Sequence, residues 1–303
     1  MDFRLTVLGA NSALPVHGRY PSAQYLQIHN HHILIDCGEG TQLRLREVNA
    51  KWARINMIFI SHMHGDHFFG LPGFLTSLSL LGRKNEMHLF GPVGIENVLT
   101  AFFKGCDVYL DYPLIFHELD SEESSKCFEN EVFEVYTIPL NHRIPTNGFL
   151  FKEKQQDSNM IPEKIAEYDL SIPQIKAAKA GHDITLSDGR LIPNIELTHP
   201  SKTPRSYAYC SDTRYQPDIA PLIRNVDLLY HESTYLHESL DLAIPSLHTT
   251  AKEAGQMAKT AKVKRLLIGH YSSRYQDIDV LLKEAQTIFP NADAAIHGAV
   301  FEI

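Results

Sequence analysis

The sequence predicts an α/β fold in which sheets and helices are stacked in layers. Three observations predict it. Strand-like and helix-like segments alternate along most of the 303 residues, the pattern of sheets covered by helices. Four apolar strands end on a residue able to bind a metal: FISHMH at His62, TIPLNH at His142, AYCSD at Asp212 and LLIGH at His270. In open α/β sheets ligands bind beyond the carboxyl ends of the strands, so these four ends are expected to converge on one edge. Finally, one polar stretch of weak periodicity, Lys152 to Arg190, reads as an excursion from the core.

The elements follow in order. Phe3 to Leu8 is a first strand. Ala23 to Ile28 and His32 to Asp36 flank the polar His29-Asn30-His31 and read as a hairpin. Thr41 to Glu47 fits a short helix, and Asn56 to Ile60 is a strand running straight into SHMHGDH. Leu71 to Leu81 has helical spacing, Met87 to Phe90 is a short strand, and Gly94 to Phe103 is a helix. Val132 to Pro139 is a strand whose hairpin partner begins at Gly148 to Phe151. After the excursion, which carries Pro162 and Pro173, strands resume at Ser206 to Cys210 and Val226 to Tyr230. Thr249 to Ala261 is a helix capped by Thr249, Arg265 to Ile268 a strand, Ile278 to Phe289 a helix, and Ala294 to Ile303 a final strand. The expected organisation is one domain over residues 1–303 with an inserted arm at 152–190.

Composition excludes several classes. With 44% hydrophobic and 21% charged residues, whole-chain disorder, collagen-like structure and coiled coil are out. No run reaches the roughly 18 apolar residues that cross a bilayer. MDFRLTVLGANSALP lacks the basic and apolar regions of a secretory signal. Cys37, Cys106, Cys127 and Cys210 lie far apart without paired spacing. A cytoplasmic location, reducing and away from membranes, is therefore expected. The net charge of −8 argues against broad, non-specific nucleic-acid binding while leaving room for a local basic site.

Histidine is the residue that stands out, with 17 copies, several of them clustered. His62, His64, Asp66 and His67 form H-x-H-x-D-H. Residues i and i+2 of an extended segment project to one side, so His62 and His64 can grip one ion. Gly65 lets the chain bend, and Asp66 and His67 can then face a second ion. Imidazole and carboxylate together suit zinc, with Mn²⁺ or Fe²⁺ possible. Four ligands in six residues are too many for one tetrahedral zinc that keeps an open position. With His142, Asp212 and His270 there are seven candidates. If Asp212 bridges, one ion has His62, His64, His142 and Asp212, and the other has Asp66, His67, Asp212 and His270. Two metals about 3.5–4 Å apart activate a shared water and clamp both oxygens of a phosphoryl displacement.

These motifs resemble the metallo-β-lactamase superfamily and, within it, the ribonuclease Z family of tRNA 3′-processing endoribonucleases in its short form. SHMHGDHFFGLPGFL is similar to the signature loop and following helix, LNHRIPTNGF to the family's His motif with its Gly-aromatic pair, SDTRY to the bridging-aspartate motif, and GHYSSRY to the last histidine. HEST at His231 to Thr234 resembles the family's HEAT loop, and HTT at His248 to Thr250 its HST loop. The superfamily motif is specific for fold and metals. The HEST, HTT and SSRY segments narrow the resemblance, which covers nearly the whole chain. It implies a four-layer αβ/βα sandwich, two Zn²⁺ per subunit (Mn²⁺ possible), a homodimer, and cleavage of precursor tRNA just past the discriminator base. The products implied are a tRNA 3′-hydroxyl and a trailer with a 5′-phosphate. Asp66 matches the family's proton acceptor. His248 matches a residue placed to protonate the leaving oxygen or steady the phosphate, with Glu232 orienting it.

For RNA contacts the resemblance offers Arg19, in the Ser12 to Ser22 loop, and Arg274, in SSRY, as phosphate partners. The excursion falls where short-form enzymes insert a flexible arm that grips the tRNA elbow. Here the arm lacks the expected Gly-Pro pair, and its six Lys and Arg stand against seven Asp and Glu, a net of −1. Only Lys176 and Lys179 form a basic pair in it. Three rivals stand beside this reading. Another di-zinc hydrolase of the fold, phosphodiesterase or aryl-sulfatase-like, would use the same ligands without needing the arm or the HEST and HTT loops. A redox di-iron protein would favour Glu where His64 stands. A non-catalytic RNA-binding scaffold would not need an intact ligand set.

Overall fold

A computed structural model describes residues 2–199 and 203–303. The strands are β1 (Phe3–Gly9), β2 (Ala23–Ile28), β3 (His31–Ile35), β4 (Ile55–Phe59), β5 (Met87–Pro92), β6 (Leu114–Leu119), β7 (Lys126–Glu129), β8 (Phe133–Leu140), β9 (Thr146–Glu153), β10 (Asn159–Met160), β11 (Ile184–Thr185), β12 (Leu191–Ile192), β13 (Thr198–His199), β14 (Ser206–Cys210), β15 (Leu228–Glu232), β16 (Arg265–Gly269), β17 (Ala292–Ala294) and β18 (Val300–Glu302). The helices are α1 (Thr41–Glu47), α2 (Gly65–Phe68), α3 (Leu71–Leu80), α4 (Ile95–Gly105), α5 (Pro162–Glu167), α6 (Ile172–Lys179), α7 (Asn194–Leu197), α8 (Leu240–Ser246), α9 (Ala251–Ala261) and α10 (Asp279–Ile288).

Fourteen of the strands form two seven-stranded sheets, ordered β18-β1-β2-β3-β4-β5-β6 and β17-β16-β15-β14-β9-β8-β7. β3 to β6 run parallel, as do β14 to β17, and the inner strands β4, β15 and β16, covered on both faces, read as near-continuous apolar runs. Successive residues of such strands point to opposite faces. In β4, Ile58 joins the cluster made with Leu45 of α1, Phe74 and Leu75 of α3 and Leu99 of α4. The next residue, Phe59, points the other way. It stacks on Phe90 at 4.4 Å and meets Phe149 and Phe151 of the second sheet edge-on at 5.2 and 5.3 Å. All four rings are fully buried, and each contributes about 1.5–3 kcal/mol by leaving water. α9 and α10 pack on each other and on β15, β16 and β17. The layers are thus helix, sheet, sheet, helix, an αβ/βα sandwich.

The chain divides into two compact units, one of residues 1–129, 134–151 and 205–303, the other of residues 130–133 and 152–204. The second contains α5, α6, α7 and two small two-stranded sheets. It has a core of its own in Leu170, Ala178, Ile184, Ile192 and Leu197. It extends past Arg190, where polar character alone would end it, because Ile192 and Leu197 complete that core. α6 begins with a capping box between Ser171 and Gln174.

Other differences from the sequence reading have local causes. The expected final strand is two: β17 joins β16, the chain turns at Gly298 (φ +79°), and β18 pairs with β1 in the other sheet. The cap of α9 is Thr250, in a capping box with Glu253, while Thr249 is buried and bonded elsewhere. β6 and β7 were not legible because they lie at sheet edges with mixed exposure, and α8 because Pro245 lies inside it.

Candidate active site

All strand ends that carry ligands lie in the first unit. The turn after β4 supplies His62 and His64, α2 supplies Asp66 and His67, the turn after β8 His142, the turn after β14 Asp212, and the end of β16 His270. One of these strand ends, at His270 (φ +59°), and the neighbouring end of β3, at Asp36 (φ +55°), turn through left-handed backbone on a residue other than glycine. Such geometry is uncommon for non-glycine residues, and strain of this kind clusters at functional sites.

The seven side chains fall into two groups of four that share Asp212, with all ligand atoms in a group within 4.8 Å of one another. In the first, His64 Nδ1 lies 3.0 Å from His62 Nε2 and 3.3 Å from His142 Nε2, and Asp212 Oδ2 lies 3.6 and 3.8 Å from His62 and His142 Nε2. In the second, Asp212 Oδ1 is 3.1 Å from both His67 and His270 Nε2, and Asp66 Oδ2 is 3.6 and 3.5 Å from them. One carboxylate thus turns one oxygen to each group, the division expected from a bridging Asp212.

Whether these groups fit metal ions is decided by where the imidazole protons are. Asp36 and Glu232 accept, so hydroxyls bonded to them donate toward them and accept from the histidines. Asp36 Oδ2 accepts from Ser61 Oγ at 2.8 Å, which leaves that hydroxyl oxygen to accept from His62 Nδ1 at 3.0 Å. Asp36 Oδ2 also accepts from His67 Nδ1 at 2.7 Å. Glu232 Oε2 accepts from Thr234 Oγ1 at 2.6 Å, and that oxygen accepts from His270 Nδ1 at 3.0 Å. His142 Nδ1 donates to Leu247 O at 3.3 Å. Every one of these Nδ1 atoms carries its proton outward, so the Nε2 lone pairs of His62, His67, His142 and His270 face inward beside carboxylate oxygens. His67 and His270 Nε2, both acceptors, lie 3.4 Å apart. An inward ring of acceptors is satisfied by a cation, and outer carboxylates that fix imidazole tautomers are a regular accompaniment of metal ligands.

The carboxylates of the site draw positive charge to the same place, a proton on His67 where no ion is bound. Burial by itself would raise Asp212, but His270, His67 and His62 hold its carboxyl well below the usual range. Burial would lower His67, yet Asp212, Asp66 and Asp36 outweigh it and hold the ring well above an ordinary imidazole. His62, buried and beside His67, is pushed well down.

Glu232 is fully buried and accepts four bonds: from Thr213 N at 2.6 Å, Thr234 Oγ1 at 2.6 Å, His248 Nδ1 at 2.8 Å and Thr249 N at 3.0 Å. His248 is thereby oriented beside both candidate groups, its ring 5.2 Å from that of His142 and 5.3 Å from that of His270. Burial would lower it, but Glu232 pushes it up to about 9. His231 points away from this network, fully buried with Nδ1 against Glu232 O.

An open cavity of about 370 Å³ lies over the two groups, lined by His64, Asp66, His142, His248, Arg143 and Arg274 among others. A larger cavity of about 520 Å³, lined by Arg4, Tyr25, Lys51 and His297, holds none of the candidate ligands. Arg19 is not among the lining residues of the catalytic cavity. Its guanidinium donates to Asn11 Oδ1 at 2.8 Å, Gln276 O at 3.0 Å and Tyr275 O at 2.6 Å, which ties its loop to the segment bearing Arg274. The backbone of that loop reaches the site, with Ala13 N donating to Asp66 Oδ2 at 2.8 Å. Lys176 and Lys179 lie in the last turn of α6, in the second unit.

Sequence reasoning missed Asp36, Thr234 and Arg143. Asp36 carried a usable signal, since HILID ends on a carboxylate as the four ligand strands do. Arg143 directly follows a ligand. Thr234 is a hydroxyl in a turn and carried none.

Comparison with known proteins then decides the family. Ribonuclease Z of Cytophaga hutchinsonii is 45% identical over 304 residues, covering 100% of this chain and 97% of that one. Ribonuclease Z of Bacteroides fragilis is 43% identical over 289 residues, covering 95% of each. The chain belongs to the ribonuclease Z family. Family membership makes it a hydrolase, a metal-dependent endoribonuclease. The crystal structure of human tRNase Z, short form, superposes with a TM-score of 0.72 at 29% identity, covering 98% of both chains, and this family has the metallo-β-lactamase fold found here. Residues 3–155 also match the family described as anti-Pycsar protein Apyc1. That match includes the H-x-H-x-D-H loop and His142 and stops short of Asp212, Glu232, His248 and His270. No helix among the described residues is long and apolar enough to cross a membrane.

Proposed function

We propose that this member of the family removes the 3′ trailer from precursor tRNA with two zinc ions per subunit, leaving a tRNA 3′-hydroxyl and a trailer with a 5′-phosphate. The observation that carries it is the pair of four-ligand groups sharing Asp212, with a carboxylate-oriented His248 beside them. His62, His64, His142 and Asp212 would hold one ion, and Asp66, His67, Asp212 and His270 the other, with Mn²⁺ able to substitute. Bound there, the ions would lower the pKa of a shared water and neutralise charge on the phosphoryl oxygens.

The chain's own residues do the rest. Asp66, held by Ala13 N and facing the cavity, accepts a proton from the attacking water. His248, kept protonated by Glu232, gives a proton to the departing 3′-oxygen. Arg274 and Arg143 line the cavity and offer guanidinium groups to the scissile and flanking phosphates. Arg19 contributes by bracing the Arg274 segment. Lys176 and Lys179 supply the arm's phosphate partners. A homodimer is supported by α1 and α3, tied by Gln42 Nε2 to Ser77 Oγ at 3.0 Å and leaving Leu43, Leu80 and Leu81 exposed. A reducing, cytoplasmic setting is supported by the four cysteines, all free.

A second reading, weighed from the sequence, is a phosphodiesterase that uses the same candidate ligands on smaller esters. Incubation of the purified protein with a trailer-bearing precursor tRNA, with both new ends mapped, separates the two. A single cut after the discriminator base with the stated termini is expected. Turnover of small diesters with no cut in the precursor would overturn the tRNA reading.

A further inference from the structure

A third cavity, of about 320 Å³, has His248 in its wall and none of the seven candidate ligands. Its walls include Arg214, Tyr215, Ile244, Leu247, His248 and the carboxylate of Glu253, and His248 is the residue it shares with the catalytic cavity. We propose that it is the subsite for the base of the nucleotide whose 3′-oxygen leaves, the last nucleotide retained on the RNA. This rests on the RNA-cleaving reading above and names where that substrate's specificity is read.

The position follows from bond accounting. Water attacks phosphorus and gives a proton to Asp66, the P–O3′ bond breaks, and O3′ takes a proton from His248. The oxygen beside His248 is therefore the one attached to the retained ribose. That ribose and its base continue past His248, and the cavity walled by His248 but by none of the candidate ligands is the space next to it. The trailer side is joined through O5′, which stays on phosphorus.

The lining has the chemistry of a base site. Tyr215 offers a ring, Ile244 and Leu247 aliphatic surface, and Arg214 a planar cation, the groups on which unstacked bases rest. Ile244 is 62% exposed, an apolar side chain that the protein itself leaves largely uncovered. The volume lies at the low end of ligand cavities, roughly 300–1,000 Å³, and suits one base better than two.

The two cavities are held in register. Thr213, just before Arg214, and Thr249, just after His248, both donate backbone N–H groups to Glu232, and Thr249 Oγ1 donates to Thr213 O at 2.6 Å. Arg214 N donates to Asn141 O at 3.0 Å, next to the ligand His142, and His248 N to Ala243 O of α8 at 3.0 Å. The carboxylate that orients His248 thus also fixes both walls of the base cavity.

The test is kcat/KM on two precursor tRNAs, one natural and one with an abasic ribose at the cleavage-site nucleotide, for wild type, Tyr215→Ala and Ile244→Asp. Metal content and unfolding midpoint show that each variant is folded. Wild type is expected to lose about ten- to a hundredfold on the abasic precursor, the worth of one stacked base. Tyr215→Ala should lose a similar factor on the natural precursor and little more on the abasic one. Ile244→Asp should behave in the same direction. An equal abasic penalty in wild type and variants, or none in wild type, overturns the subsite while leaving the RNA-cleaving reading intact. A wild type that cuts neither precursor overturns that reading, and this inference with it.

Discussion

Replacing Asp36 by Asn removes a charge and one acceptor from a fully buried carboxylate that touches no candidate ion. Asp36 accepts from Ser61 N at 2.7 Å through Oδ1, and from Ser61 Oγ, His67 Nδ1 and Tyr209 OH at 2.8, 2.7 and 2.6 Å through Oδ2. An amide has one accepting atom. If its oxygen faces Ser61 N, its NH₂ faces His67 Nδ1, which must give up its proton and accept. The proton then sits on Nε2, and His67 leaves the ligand set. If the amide is flipped, its NH₂ faces the Ser61 N–H, and an unsatisfied buried donor costs about 1–3 kcal/mol. In both cases His67 loses the carboxylate that strengthens its donor atom, a loss worth roughly 10–100-fold in metal affinity. The expected signature is asymmetric. The group of Asp66, His67, Asp212 and His270 empties first, because His62 leans on Ser61 Oγ and not directly on Asp36. Dialysis of wild type and Asp36→Asn against a series of buffered free-zinc concentrations, with ions per subunit measured, checks this. Equal affinity of both sites in the two proteins, or loss of the other ion first, would refute the tautomer assignment.

Four further outcomes are expected. Metal-stripped protein is inactive and recovers with Zn²⁺ or Mn²⁺; activity persisting at vanishing bound metal contradicts the two-group reading. Asp66→Ala abolishes cleavage while precursor binding survives, and joint loss of both in a filter-binding and cleavage comparison indicates misfolding instead. His248 must be protonated to donate, so activity is present below its raised pKa and lost as pH rises through about 9; Glu232→Gln should move that alkaline limb down toward the ordinary imidazole value of about 6.5, and an unmoved limb refutes the assignment. Reversing Lys176 and Lys179 to Glu should weaken precursor binding and flatten its salt dependence, with the slope falling by roughly one for each lysine–phosphate pair removed; an unchanged slope removes these lysines from the RNA surface.

The candidate ligands were legible because the segments that carry them follow apolar strands, and within each sheet parallel strands such as β14 and β16 deliver their carboxyl ends to one edge whatever their order. Asp36 obeys the same rule, but Asp-Cys-Gly also reads as an ordinary turn, and without the neighbouring Ser61 and His67 nothing separates the two. The tautomer network runs through Ser61 and Thr234, hydroxyls that sequence cannot distinguish from any others. Edge strands β6 and β7 were hidden because half-exposed strands lose the apolar run that marks buried ones. The last strand was misread for another reason. Ala294 to Ile303 is apolar enough throughout to be one strand, and the crossing between sheets depends on Gly298 adopting positive φ, which a single glycine does not announce.

The site straddles the two sheets. His62, His64, Asp66 and His67 follow β4 of one, and His142, Asp212 and His270 follow β8, β14 and β16 of the other. Each proposed ion would therefore join ligands from both sheets, and neither sheet alone could assemble either group. The protein already joins them at the same edge: Tyr209 of β14 donates to Asp36 at the end of β3, and Asn147 of β9 donates its N–H to Ser61 O at 3.0 Å after β4. These bonds hold Asp36 and Ser61, the residues that set the tautomers of His62 and His67. Glu232 performs the matching task on the second sheet, setting His270 through Thr234 and His248 directly. Two buried carboxylates, neither in either four-ligand group, thus position the ligands from opposite sides. A site arranged in this way presents its lone pairs before an ion arrives, so binding energy is not consumed in reorganising the ligands.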